Sequence, residues 1–269
     1  MSGPITRWEG TRVLVTGGSS GIGAAVARDL AGQGATVGIC ARRADLLSAV
    51  LEDCRRTSPA SCSWTVDLGE LDQLETFVRR VEEELGGIDV LVNNAGQTFH
   101  SDTLSTPRRD LEAQLRINYL SPVQLTLAAL PGMWERGSGH VVTISSMAAR
   151  TSTPGESAYA AAKSALTAYF EALAAEQWFG PVRFHLVYPA LIDVTSDADG
   201  DDELAESSDG STPIPAPVMA RALRRQLERG DFELYVPRTM QRFVAGRGRD
   251  VPKAVEFMAG LYRDGALPS

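Results

Sequence analysis

The sequence predicts an α/β fold: a doubly wound parallel sheet of about seven strands with helices on both faces. Three observations predict it. Short apolar runs rich in Val and Ile alternate with helical patterns along the chain. Most connections between the runs are long enough for a crossover helix, which parallel neighbours require. The 269 residues are 43% hydrophobic, enough for one substantial core.

Taken in order, strands are expected over 12–16, 36–40, 62–66, 90–93, 140–145, 183–187 and 232–236. Helices are expected between them over 22–33, 44–57, 71–85, 106–135, 157–178 and 217–229. The first strand runs straight into TGGSSGIG at 16–23, so a glycine-rich turn opens the first helix. The second strand closes on Cys40, Ala41, Arg42 and Arg43. One segment, 193–217, is acidic, polar and closed by prolines, too poor in apolar residues to fold alone. It reads either as a solvated loop or as a mobile lid. After Pro237 a C-terminal extension, 237–269, holds one short helix near 252–262. No solenoid or propeller period occurs, and 1–269 reads as a single domain.

Composition narrows the function. A net charge of −8, from 26 basic and 34 acidic residues, argues against a nucleic-acid or anionic-membrane surface. Cys40, Cys54 and Cys62 lack metal-ligand spacing and a CxxC, and read as reduced thiols. The N-terminus shows no apolar signal core, and no stretch reaches the ~18 apolar residues of a membrane span. The expectation is a soluble cytoplasmic protein without a metal. His140 opens a strand and reads as structural, His100 and His185 have no metal-like partners, and Trp64, Trp134 and Trp178 read as packing residues.

Tyr159 and Lys163 stand at i and i+4, on one face of a helix. An ammonium beside a phenol favours the phenolate and pulls a tyrosine down from its usual pKa of ~10, toward acid/base work. The glycine turn suits a pyrophosphate at the positive end of a helix. At the end of the second strand Ala41 occupies the position where a carboxylate would hold the ribose 2′-hydroxyl of NAD. Arg42 and Arg43 suit a 2′-phosphate instead, which favours NADP(H) while leaving NAD(H) open.

NNAG at 93–96, INY at 117–119, ISS at 144–146 and YAAAK at 159–163 follow the glycine turn in that order. Together the five resemble the compact single-domain branch of the short-chain dehydrogenase/reductases, over roughly 11–195. The resemblance implies a Rossmann-like fold and hydride transfer between a nicotinamide cofactor and a small carbonyl or alcohol. It implies that Ser146 donates to the substrate oxygen, with Ser145 pointing the other way. Tyr159 would act as general acid/base; Lys163 would lower its pKa and bind the nicotinamide ribose. Asn118 would hold a relay water. Gly17, Ser19, Ser20, Ile22 and Gly23 would line the pyrophosphate and the adjoining ribose, and Asp67 and Leu68 the adenine. Asn94, Ala95, Gly96, Pro189 and Ile192 would support the cofactor, as would Tyr159 and Lys163. The helices at 106–135 and 157–178 would form the interface of a homodimer or homotetramer.

The chain departs from that pattern in places. Ala190 replaces a glycine, and Val194 stands where a threonine would bond the nicotinamide amide, with Thr195 one place late. Either the loop shifts by one residue or the bond is absent, leaving the backbone of Ile192. Ser20 replaces a basic residue in the glycine turn, which leaves Arg42 as the main phosphate contact. Met147, Ala148, Pro154 and Tyr188 point to an apolar substrate pocket. Two rival readings are an NAD(H)-dependent alcohol dehydrogenase with the same site and a non-catalytic nucleotide-sensing protein. Against the second stand Asn118, Ser146, Tyr159 and Lys163, a proton path that a sensor does not need.

Overall fold

The chain winds outward from its first strand in one direction, then restarts beside it and winds outward in the other. The computed structural model describes residues 3–98, 100, 106–151, 153–195, 200–208 and 212–263. Its elements in the first half are β1 Arg12–Thr16, α1 Gly21–Gly32, β2 Thr36–Ala41, α2 Ala44–Arg55, β3 Cys62–Thr65 and α3 Leu74–Leu85. The second half holds β4 Val90–Asn93, α4 Arg108–Leu115, α5 Ser121–Glu135, β5 Gly139–Ile144, α6 Ser157–Glu176 and β6 Val182–Pro189. Then come β7 Ile192–Asp193, α7 Glu203–Ser207, β8 Ile214–Pro215, α8 Ala216–Arg229, β9 Glu233–Val236, α9 Met240–Arg249 and α10 Val251–Arg263.

Seven strands form one parallel sheet in the order β3-β2-β1-β4-β5-β6-β9. The strand order reverses between β1 and β4, where Val13, Leu14 and Val15 pair with Val90, Leu91 and Val92. Crossovers on the two sides of that point depart to opposite faces and leave a crevice at the carboxyl ends of the strands. Side-chain alternation explains why the strands are apolar throughout. Val13 and Val15 enter one core with α1, α2 and α8, while Leu14 enters a second with α3, α5 and α6.

All seven expected strands of the sheet form, with ends shifted by a residue or two. The helix expected over 106–135 is not regular. Arg116–Leu120 is a π-helical turn between α4 and α5, and it carries Asn118 into full burial. The acidic segment is also corrected. Its described part holds α7 and the β7–β8 pair, with Ala205 and Ile214 fully buried. Asp202 is ion-paired to Arg221 (2.6 Å) and to Arg225 on α8. Residues 196–199 and 209–211 of that segment lie outside the described residues. The tail carries two helices instead of one; Gly246 and Gly248 in α9 hid the first from propensity reasoning. Trp64 packs in the core, whereas Trp134 and Trp178 are 49% and 53% exposed, contrary to the packing role expected of them. Among the described residues no helix is long and apolar enough to cross a membrane.

Candidate active site

A cavity of about 1080 Å³ opens at the carboxyl ends of the strands, where the strand order reverses. One end is built by the turn between β1 and α1. Gly17 there has a φ of 69°, open to glycine without strain. Thr16 Oγ1 donates to the Val92 carbonyl and accepts from the amides of Asn94 and Ala95, each at 3.0 Å. Asn94 Nδ2 donates back to the Thr16 carbonyl at 2.8 Å. The two strand ends are thus riveted together, and Gly17, Ser19, Ser20, Ile22, Asn94, Ala95 and Gly96 all line the cavity. Gly23 does not. A Cβ there would collide with the Gly17 carbonyl, so its role is to let α1 approach the turn.

Ser20, the N-cap of α1, makes no side-chain cap bond, and no acidic residue occupies the first turn. Uncapped first-turn amides and the positive end of the helix suit a phosphate, so the residues present fit a dinucleotide. Arg42 and Arg43 both line this end, with Asp67 and Leu68. The two arginines differ in reach. Arg43 Nη2 reaches Ser20 Oγ at 2.6 Å and Ser19 Oγ at 3.4 Å, so Arg43, not Arg42, brings its guanidinium to the glycine turn.

Ser146, Tyr159 and Lys163 line the cavity's middle. Ser146 follows β5 and caps a short 3₁₀ turn, Met147–Ala149, by accepting from the Ala148 amide at 3.1 Å. Its side chain and that of Thr98 both draw the pKa of the Tyr159 phenol down. Ser145 also touches the cavity, but its hydroxyl is engaged behind the wall, 2.7 Å from Thr167 Oγ1 on α6. Lys163 is buried, donates from Nζ to the Ile144 carbonyl at 2.8 Å and lies 5.9 Å from the centre of the Tyr159 ring. Burial depresses its pKa to about 8.

One electrostatic expectation is reversed. The Tyr159 phenol is pushed up from its ordinary value: burial raises it most, and the Glu156 carboxylate adds to the rise. The Ser146 and Thr98 side chains pull it down only in part. Removing a phenolate from water outweighs neighbours that favour it. Asn118 is engaged through its side chain. Its Oδ1 accepts from the Gln97 amide (3.1 Å), and Nδ2 donates to the Gln97 carbonyl (2.9 Å) and to Gln114 Oε1 (2.8 Å). One amide hydrogen, with Oδ1, holds the segment that bears Thr98, and the other ties Asn118 to Gln114 on α4.

Pro189, Ala190 and Ile192 line the cavity past β6. Val194 lies over the glycine turn, where a Cβ on Gly21 would meet it at 3.1 Å. The Thr195 hydroxyl donates to Asp193 Oδ1 at 2.7 Å, so it does not substitute for a threonine at 194. Pro154 and Tyr188 are not cavity walls; Tyr188 is fully buried, stacked on Tyr235 with ring centres 4.8 Å apart. Residues missed in the sequence also stand here. Thr98, His100 and Glu156 lie beside Tyr159, and His100 Nε2 is 3.2 Å from Glu156 Oε1. Glu156 is three places before Tyr159, a helical neighbour whose spacing was the available signal.

A family model, short chain dehydrogenase, matches residues 11–204. The chain belongs to the short-chain dehydrogenase family. That family comprises NAD(P)-dependent dehydrogenases and reductases. An uncharacterized oxidoreductase of Mycobacterium tuberculosis is 41% identical over 189 residues, 68% of this chain and 55% of the relative. The chain therefore spans about half the length of the curated relatives it matches. A short-chain dehydrogenase from Streptomyces avermitilis is 28% identical, with a TM-score of 0.77 over 95% of this chain and 99% of that one. The L-sorbose reductase of Gluconobacter frateurii, solved with NADPH and L-sorbose, shares the fold at 24% identity (TM-score 0.75; 85% and 95% covered).

Proposed function

We propose that this chain interconverts a small carbonyl compound and an alcohol with NADP(H), and that Tyr159 exchanges the proton. The observation that carries the reading is one cavity joining an uncapped helix end, Arg43 and the Ser146–Tyr159–Lys163 group. The bound nicotinamide would supply or accept the hydride. Gly17, Ser19, Ser20 and Ile22 would hold the pyrophosphate, and Asn94, Ala95, Gly96, Pro189 and the Ile192 backbone the remainder of the dinucleotide.

Ser146 and Tyr159 line the same part of the cavity, and the Ser146 side chain acts on the Tyr159 phenol; both hydroxyls would meet one substrate oxygen and fix the carbonyl carbon beside it. In reduction the Tyr159 hydroxyl gives its proton to the oxygen as negative charge builds there. A phenol raised by burial is protonated at neutral pH, which suits that direction. Oxidation needs the phenolate and is favoured as pH rises. The Lys163 ammonium, next to the Tyr159 ring, would favour the phenolate and orient the ribose hydroxyls.

The absence of a carboxylate at Ala41 and the Arg43 guanidinium beside Ser20 support NADP(H) over NAD(H). An apolar substrate fits Met147 and Ala148 on the cavity wall. The test is a panel of ketones, aldehydes and alcohols followed by NADPH and NADH absorbance. Turnover with NADPH is expected; binding of NADPH with no turnover of any member would favour the nucleotide-sensing alternative.

A further inference from the structure

The sheet is complete at β9, yet the chain adds α9 and α10, and both reach the cavity. Met240 and Phe243 share a face of α9, and Phe257 and Leu261 a face of α10, at helical spacing. The faces meet: the Phe243 and Phe257 rings lie 5.8 Å apart at 50°. These four and Met258 line the cavity. Phe257 remains 53% exposed, apolar surface that the protein itself does not cover. None of the five carries a charge or a strong hydrogen-bonding group, and thioethers adapt to varied shapes. The helix pair also stands close to the chemistry. A Cβ on Gly155, four residues before Tyr159, would meet Tyr262 Cε2 on α10 at 3.9 Å.

The surroundings of Tyr159 differ in kind. The His100 imidazole and the Glu156 carboxyl face each other there at 3.2 Å, and Thr153 also lines this part. A molecule that presents its oxygen to Ser146 and Tyr159 therefore meets polar groups at that end and an apolar wall along α9 and α10.

We propose that α9 and α10 form the specificity element of this site, selecting a carbonyl or alcohol with an extended apolar body that lies against Phe257 and Leu261. This rests on the carbonyl/alcohol reading above. Each methylene moved from water onto the wall contributes about a threefold to fourfold gain in kcat/KM. The element is specific to the C-terminal segment and lies past residue 204, where the family match ends.

The experiment measures kcat/KM with NADPH for straight-chain aldehydes from propanal to nonanal. In the wild type the values are expected to climb with chain length. Phe257→Ala should flatten the climb while leaving propanal within about threefold, since only the long chain reaches that ring. Leu261→Ala, one turn on, provides the same reading should the first variant fold poorly. A flat series in the wild type, or a loss in Phe257→Ala equal for propanal and nonanal, overturns the proposal. Calorimetric binding of propanamide and nonanamide, unreactive carbonyls, to the NADP⁺-loaded protein separates the two readings. Nonanamide binding that weakens in Phe257→Ala without turnover of any aldehyde would uphold the wall and sink the reaction. No preference for nonanamide together with a flat aldehyde series would sink the wall alone.

Discussion

Two polar groups in this molecule behave oppositely. Near the carboxyl ends of the strands, Ser146, Tyr159 and Lys163 open into the cavity. Across β5 and β6, His140 and His185 stack with ring centres 5.3 Å apart at 15°. His185 Nδ1 lies 2.8 Å from the Asp231 carbonyl, an acceptor only, so Nδ1 carries the hydrogen and Nε2 is left as an acceptor. His140 Nδ1, 3.0 Å from that Nε2, must then be the donor. Both rings are neutral, and the facing nitrogens are satisfied by each other and by the backbone. Burial lowers their pKa values to about 3 and about 4. The lesson concerns where the hydrogen bonds go: a polar pair satisfied internally is structural, whereas one facing a cavity is available to a ligand.

Substitution should separate the two regions most sharply at Tyr159. Tyr159→Phe is expected to lower turnover by about a hundredfold to ten-thousandfold, with NADPH affinity and thermal stability near wild type. Full activity in the variant would remove the proton-transfer role. His140→Gln should do the reverse, leaving kcat/KM within about threefold while lowering the unfolding midpoint.

The cofactor end sharpens the comparison further. Arg43→Ala should weaken NADPH by about tenfold to a hundredfold and NADH little, because one charge-assisted contact is lost. Arg42→Ala should have the smaller effect. Fluorescence titration with both cofactors checks this, and an equal loss for NADPH and NADH would exclude a 2′-phosphate role for Arg43.

The histidines' response to acid tests the other side of the comparison. Their folded values lie below the unfolded value of about 6.5, so the unfolded chain binds more protons as pH falls. Their contribution is complete above about pH 6.5 and declines as pH falls toward about 4, by at most about 1.4 kcal/mol per pH unit for each ring. Urea midpoints between pH 7 and pH 4 check the slope. His140→Gln/His185→Gln should flatten it, and an unchanged slope would assign it to carboxylates.

Much of the site was legible because spacing on regular elements is a local property. Tyr159 and Lys163 share a face of any helix, and the glycine turn had to follow β1 and open α1. Ser145 and Ser146 separated correctly because neighbours on an extended segment point opposite ways. Contacts between distant segments were not legible. Choosing between Arg42 and Arg43 depends on side-chain reach into a turn more than twenty residues earlier. The Asn118 network depends on a π turn, which has no clear signature in composition. Thr98 and His100 follow β4 in a loop whose path is fixed by Asn118.

By itself the sequence determined the parallel doubly wound sheet, the position of the glycine turn and the helical spacing of Tyr159 and Lys163. Hydrophobic period, glycine placement and helical spacing act within a few residues. Only the tertiary structure decided that burial raises Tyr159, that Arg43 reaches the glycine turn and that α9 and α10 line the cavity with apolar side chains. Desolvation, reach and shared walls belong to groups brought together from distant parts of the chain.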